Sequence, residues 1–198
     1  MPKTAGSTIE MEFGWLPPNE TEETKDVVAA FRKIRHATLT DHIEKINSLD
    51  IDASDFFIFS SVRNPWDMAV SKYYHDCFYE VQRHKNNPPD WLKELENITF
   101  DKYIDLKYKK FRNYFLNIMP FLFVKDKMLV SYIIRQESFE DDFKVVLNRF
   151  NLKRTGTNLL TQSRPSTIHY RDMYPNINTK NMVEEMGKHL IDMFDYTF

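Results

Sequence analysis

Cysteine occurs once, as Cys77, so the chain can close no disulfide on itself and offers no cysteine-based zinc site. An excess of one charge is missing too. The 27 Lys and Arg stand against 29 Asp and Glu, a formal net charge of −2, which provides no global basic field for nucleic acid. Any anion site must therefore be local. No apolar run reaches the roughly 18 residues of a membrane span, and the start turns polar too early for a signal peptide. Internal repeats and low-complexity tracts are absent. These absences lead us to expect a soluble, cytoplasmic protein with no nucleic-acid partner, no membrane span and no metal.

What is present is a core. The chain has 198 residues, 42% of them hydrophobic, with 16 Phe and 10 Tyr. That suits one packed domain over 1–198 and is short for two.

The pattern along the chain alternates helix and strand. Residues 8–13 read as a short helix. "DVVAAFRKIRHATLTDHIEKI" is helix-like with a break near "RHATL", after which Thr40 or Asp41 is placed to cap a second helix, Glu44 lying three residues beyond Asp41. "DFFIFSSV" is the clearest strand, short and nearly all apolar, as a buried parallel strand is. In "RNPWDMAVSKYYHDCFYEV" Asn64 suits a helix cap and Pro65 the first helical position, and Trp66, Ala69, Val70 and Tyr73 recur at helical spacing. Asp90 and Thr99 are candidate caps of two further helices. "PFLFVKDKMLVSYIIR" reads as strand, Lys-Asp-Lys turn, strand. Ser138 is placed to cap a helix with Phe139, Phe143, Val146, Leu147 and Phe150 as its apolar stripe. A closing helix sets Met182, Met186, Leu190 and Met193 on one side. This order favours an α/β layered parallel sheet.

Two stretches carry candidate chemistry. In the opening "PKTAGST", Ala5 and Gly6 allow close backbone approach, Thr4, Ser7 and Thr8 add hydroxyls, and Lys3 adds a charge. A helix behind them would point free N–H groups forward, a cradle for phosphate or sulfate. Lys precedes the single Gly, so this is not a Walker A loop. The other reading is a polar turn. In "FFIFSSVRNPWDMAVSKYYH", Arg63 sits where a strand ends and a helix begins, the place where open α/β sheets bind ligands, and an arginine there suits an anion. Ser71 follows eight residues on. The competing reading has Arg63 paired with Asp67 and Ser71 as an ordinary helix residue.

Together these stretches resemble the sulfotransferases. The opening is similar to their 5′-phosphosulfate loop, usually "hIPKTAGTS" after a strand, and "VRNPWDMAVSKYY" to their 3′-phosphate motif. "LVSYIIRQESFEDDF", "HYRDMY" and "DMFDYTF" resemble later segments of the carbohydrate-type family that includes heparan sulfate 2-O-sulfotransferase. The likeness runs from Pro2 to Phe198, with a divergent middle at 78–120.

The resemblance implies a three-layer, parallel-sheet fold like that of the P-loop NTPases. It implies transfer of a sulfuryl group from 3′-phosphoadenosine 5′-phosphosulfate (PAPS) to an acceptor hydroxyl, in this group that of a carbohydrate. Lys3, Thr4, Ala5, Gly6, Ser7 and Thr8 would hold the 5′-phosphosulfate, Lys3 also neutralising the leaving phosphate, and Arg63 and Ser71 the 3′-phosphate. A histidine suits the base. His36 matches best and His42 comes second, while His75 reads as an extension of the Ser71 helix and His189 as a residue among surface charges. Ser163, Arg164, Tyr170 and Arg171 are further nucleotide-contact candidates.

Three features depart from the family, one of them the "QSRPSTIHY" loop that carries Ser163 and Arg164. Gln136 stands where an aromatic is usual, although Glu137 remains. The family's first strand has no counterpart before Pro2, and we expect the natural chain to start upstream with a strand of about five apolar residues, or else "PFLFV" at 120–124 to fill its place. Two other functions compete: a remnant that binds adenosine 3′,5′-bisphosphate without turnover, and a P-loop kinase, against which the position of Lys3 argues. The acceptor, a small molecule or glycan, falls to the divergent middle, where "RHKNN" and "KYKKFR" either favour an acidic glycan or form solvated faces.

Overall fold

The computed structural model describes Ile9, residues 37–153 and residues 168–198. The chain divides into two compact units, one from Lys3–Val62 and Ile118–Leu159, the other from Arg63–Asn117 and Leu160–Phe198. The described residues form a mixed α/β structure, mostly helical, with a small parallel sheet. No helix among them is long and apolar enough to cross a membrane.

In the first unit, helix α1 (Leu39–Asn47) begins at a capping box. The Thr38 hydroxyl accepts from the Asp41 N–H, and the Asp41 carboxylate accepts from the Thr38 N–H at 2.7 Å. The cap is thus Thr38, not Thr40 or Asp41. Asp41 serves as the acidic partner three residues on, because its side chain reaches back to the cap's own amide. Buried Leu39 and Ile46 mark the inner face of α1, which packs against Met119–Phe121 and Phe123–Val124.

Strand β1 (Phe59–Val62) is shorter than the apolar run predicted it to be. The segment before it enters through a single 3-10 turn, Ala53–Asp55, capped by Asp52. β1 pairs in parallel with Tyr132–Arg135, in the register Phe59↔Tyr132 to Val62↔Arg135. The stretch between holds a two-residue ribbon, β2 (Phe123–Val124) with β3 (Lys127–Met128). It turns at Lys125, whose φ of 53° is left-handed. Residues 120–124 therefore do not pair with β1: Met119–Phe121 is a 3-10 turn and β2 bonds to β3. The strand Tyr132–Arg135 is then β4.

Helix α2 (Pro65–Tyr74) follows β1 across Arg63 and Asn64, and α3 spans Phe100–Phe111. Beyond β4, α4 (Phe139–Arg149) lays Phe139, Phe143, Val146 and Leu147 against Ile134, with Phe59, Tyr132, Phe57 and Ile9 packed on the same cluster. Fully burying one such side chain contributes about 1.5–3 kcal/mol. Phe150 is not part of this stripe. It is 43% exposed and meets Phe57 edge-on. Ser138 occupies the cap position of α4 without capping it; its hydroxyl and the Arg135 N–H both donate to Asp142, which also accepts from Tyr132. One carboxylate thereby ties β4 to the first turn of α4.

The second unit is built around α2. Asn64 caps it, accepting from the N–H groups of Trp66 and Asp67, with Pro65 in the first turn. Trp66, Met68, Ala69, Val70, Tyr73 and Tyr74 are all buried, so this helix is covered nearly all round. Around it lie α3, the 3-10 turn Tyr170–Met173 and α5 (Ile177–Met186). Pro89, not Asp90, sits at the cap position of the short helix Asp90–Lys93, and Thr99 at that of α3 without a side-chain capping bond.

After Tyr74 the chain widens into a π-helical stretch, His75–Glu80, before a last turn at Val81–Arg83. Asp76 in this stretch accepts from the buried Tyr103 hydroxyl at 2.8 Å and lies 3.3 Å from Lys107. The closing helix breaks at Gly187 into α5 and α6 (Lys188–Phe194). Thr179, Val183, Met186, Leu190 and Phe194 face inward on both sides of the break, whereas Met193 is 36% exposed and Met182 only half-buried.

Candidate functional site

The candidate site among the described residues is Arg63 with the first turns of α2, which follow β1 in the chain. β1 ends with Ser60, Ser61 and Val62 buried, and Arg63 follows directly. Its Nε donates to Asp67 Oδ2 at 2.7 Å, across one helical turn. Both side chains are largely enclosed, at 13% and 14% exposure, so this pair is better ordered than an ordinary surface bridge. The alternative reading of the sequence, in which Arg63 pairs with Asp67, describes a real contact. That contact engages one of the five N–H donors of a guanidinium.

Ser71 lies two turns along the buried α2, at 6% exposure.

The N-terminal turn of α2 is held from several directions. Asn64 Nδ2 donates to the Thr197 carbonyl at 3.0 Å, and Trp66 Nε1 to that of Lys180 at 3.3 Å. The Tyr174 hydroxyl donates to the Trp66 carbonyl at 2.9 Å. The Phe198 ring meets Trp66, Tyr170 and Tyr174 edge-on, with Lys180 Nζ 4.8 Å from its centroid. Burial pushes the Tyr174 phenol well above its ordinary value, and the Asp67 carboxylate adds to the effect. The sequence reading did not find these supports. Their partners lie more than a hundred residues from α2, and no periodicity links such positions.

The remaining candidates fare unequally. Lys3, Thr4, Ala5, Gly6, Ser7 and Thr8 lie outside the described residues, as do His36, Ser163 and Arg164. Ile9, the residue after the loop, is helical and rests on the core cluster of the first unit. His42 is half-buried on α1, and burial lowers its pKa although Asp41 opposes the shift. It is thus a neutral imidazole near pH 7. Tyr170 and Arg171 belong to the packing around Phe198: Arg171 Nη2 donates to the Phe198 carbonyl oxygen at 2.8 Å. His75 does extend the Ser71 helix, as its C-cap. His189 is not simply a surface residue. It is half-buried, its Nε2 is enclosed without a hydrogen-bond partner, and burial lowers its pKa.

The basic runs of the divergent middle are matched by acids. Lys107 lies beside Asp76, Lys109 beside Asp105, Lys110 beside Glu94 and Arg112 beside Glu185. Arg83 and His84 both face Glu80. Lys109, Lys110 and Arg112 lie on exposed surface.

Cys77 is half-buried, and burial pushes its thiol up to about 12, with Asp76 adding to the effect, so it is not a ready nucleophile. Among the described residues no group of three or more His, Cys, Asp or Glu is arranged to hold a metal. No protein-family model, curated protein or solved structure matches the chain.

Proposed function

We propose that the chain is a PAPS-dependent sulfotransferase that transfers the sulfuryl group to an acceptor hydroxyl, that of a carbohydrate. The observation that carries this reading is the junction at Arg63. A buried parallel strand runs into an enclosed arginine, then an Asn-capped helix with a buried serine two turns on. The motif resemblance requires that sequence of local structures. In this reading β1 and β4 are neighbours in a larger P-loop-type parallel sheet, and α4 and the helix containing Ile9 cover one face of it.

Arg63 and Ser71 bind the 3′-phosphate, the first by charge-assisted and the second by neutral hydrogen bonding. Lys3 and the backbone and hydroxyl donors of Thr4, Ala5, Gly6, Ser7 and Thr8 bind the 5′-phosphosulfate. His36, with His42 second, takes the proton of the acceptor hydroxyl as its oxygen bonds to sulfur. The sulfur–oxygen bond to the 5′-phosphate breaks, its electron pair stays on the phosphate, and Lys3 neutralises the charge that develops there. Alignment of donor and acceptor supplies the rest.

Calorimetric titration with adenosine 3′,5′-bisphosphate tests the reading. Arg63→Ala should cost about 2–4 kcal/mol of affinity and Ser71→Ala about 1 kcal/mol. A folded Arg63→Ala protein that binds as tightly as the parent sinks the assignment. Release of bisphosphate from PAPS, with and without a pool of glycan acceptors, separates an enzyme from a protein that only binds the nucleotide.

A further inference from the structure

We propose that Asp67 is a positioning residue for Arg63, one that orients the guanidinium toward a bound phosphate; this rests on the reading of Arg63 as a 3′-phosphate ligand. Asp67 is held by the helix it belongs to. Asp67 lies in the first turn of α2, with its own N–H donating to the capping Asn64 side chain at 3.4 Å. That turn is fixed by Asn64 on Thr197, by Tyr174 on the Trp66 carbonyl and by the approach of Gly187 to Pro65. Arg63 precedes the helix and carries a long side chain with much rotamer entropy to lose. The carboxylate thus offers the arginine a fixed acceptor.

The atom used also matters. Asp67 takes Nε, whereas the Nη groups bring the further donors of the guanidinium fork. An arginine oriented beforehand gives up less freedom on binding, and preorganisation of this kind raises affinity.

A carboxylate beside an anion site also repels the ligand, and the two effects have opposite signs. By charge alone, Asp67→Ala tightens bisphosphate binding. By positioning, it weakens it. Titration with adenosine 3′,5′-bisphosphate should show Asp67→Ala about tenfold weaker than the parent, and Asp67→Asn, which keeps the accepting oxygen, within about threefold. Titration with adenosine 5′-monophosphate, which has no 3′-phosphate, should show no difference among the three proteins. A general loosening of the fold would weaken both ligands alike. If Asp67→Ala fails to fold, Asp67→Ser, whose side chain is too short to reach Nε, replaces it. Unchanged or tighter bisphosphate binding in the Ala or Ser variant, alongside a weakened Arg63→Ala, overturns the positioning role and leaves the Arg63 assignment standing. Equal losses in the Asn and Ala variants, or equal losses for both ligands, overturn it as well. Parent-like binding by Arg63→Ala, or no binding by the parent, overturns the nucleotide reading itself.

Discussion

Arg63 and Tyr174 show how much single side chains contribute at the start of α2. The Tyr174 hydroxyl reaches the Trp66 carbonyl, which lies in the first turn of a helix whose early amides are already capped by Asn64. Removing that donor leaves the ring packing on Phe100 and Phe198 in place and deletes one hydrogen bond. Tyr174→Phe should therefore destabilise the protein by about 0.5–1.5 kcal/mol, the usual net worth of such a bond. Chemical denaturation reads this directly, and a variant as stable as the parent shows that the bond is replaced by solvent. The Arg63–Asp67 pair was one of two readings open to the sequence, because i, i+4 spacing on a helix brings such residues together. Its enclosure was not, since that depends on what the surrounding segments cover.

At the scale of elements, the glycine at the break in the closing helix has a steric cause. Gly187 has φ −100° and ψ 6°, a conformation open to any residue, so no torsional demand requires glycine there. Space does: a Cβ at this position would stand 2.6 Å from the Cβ of Pro65 and 3.2 Å from the Val183 carbonyl oxygen. Alanine would gain up to about 1 kcal/mol in helix propensity, but the clash with a rigid proline ring costs about 1–3 kcal/mol. We expect Gly187→Ala to lower stability and, by moving Pro65, to weaken bisphosphate binding too. A variant with parent-like melting temperature shows that α6 shifts without resistance. The Met182–Met193 stripe was misplaced because Thr179, Val183, Met186, Leu190 and Phe194, spaced by three and four residues straight through Gly187, set the inward face to one side of Met182 and Met193.

For the whole molecule, acid should act in stages. Burial lowers the pKa of both His42 and His189 below the ordinary 6.5. The unfolded chain therefore binds protons that the folded one refuses, and stability falls as pH drops from about 6.5 toward the folded values. For His189 the surrounding groups are the Leu116 backbone, whose hydrogen bond favours the charged ring, and the Asp192 carboxylate, which does the same; burial outweighs both. Asp76 acts lower on the scale. Burial raises its pKa, but the hydrogen bond from His75 and the charge of Lys107 outweigh that and hold it below 3.8. Its contribution is complete above that value and is lost as pH falls through its folded pKa. Denaturation midpoints measured between pH 7.5 and 5 should decline, and His189→Gln should flatten the slope. A flat profile in the parent excludes this linkage.

The sequence alone determined what depends on neighbours along the chain. Asn64 and Pro65 start a helix because a short acceptor side chain satisfies the first amides and proline lacks the donor that would go unpaired. The buried parallel nature of the strand ending at Val62 was legible from its apolar run, as was most of the α4 stripe from its 3.6-residue period. Where local rules offered several solutions, only the tertiary structure chose among them. It selected Thr38 as the cap of α1, paired β2 with β3 instead of β1, and left Phe150 and Met193 exposed. It also set Thr197, Phe198 and Tyr174 around the start of α2 and matched the basic runs with acids. Such choices depend on which distant segments exclude water from a given side chain, and that free energy belongs to the folded assembly, not to any stretch of it.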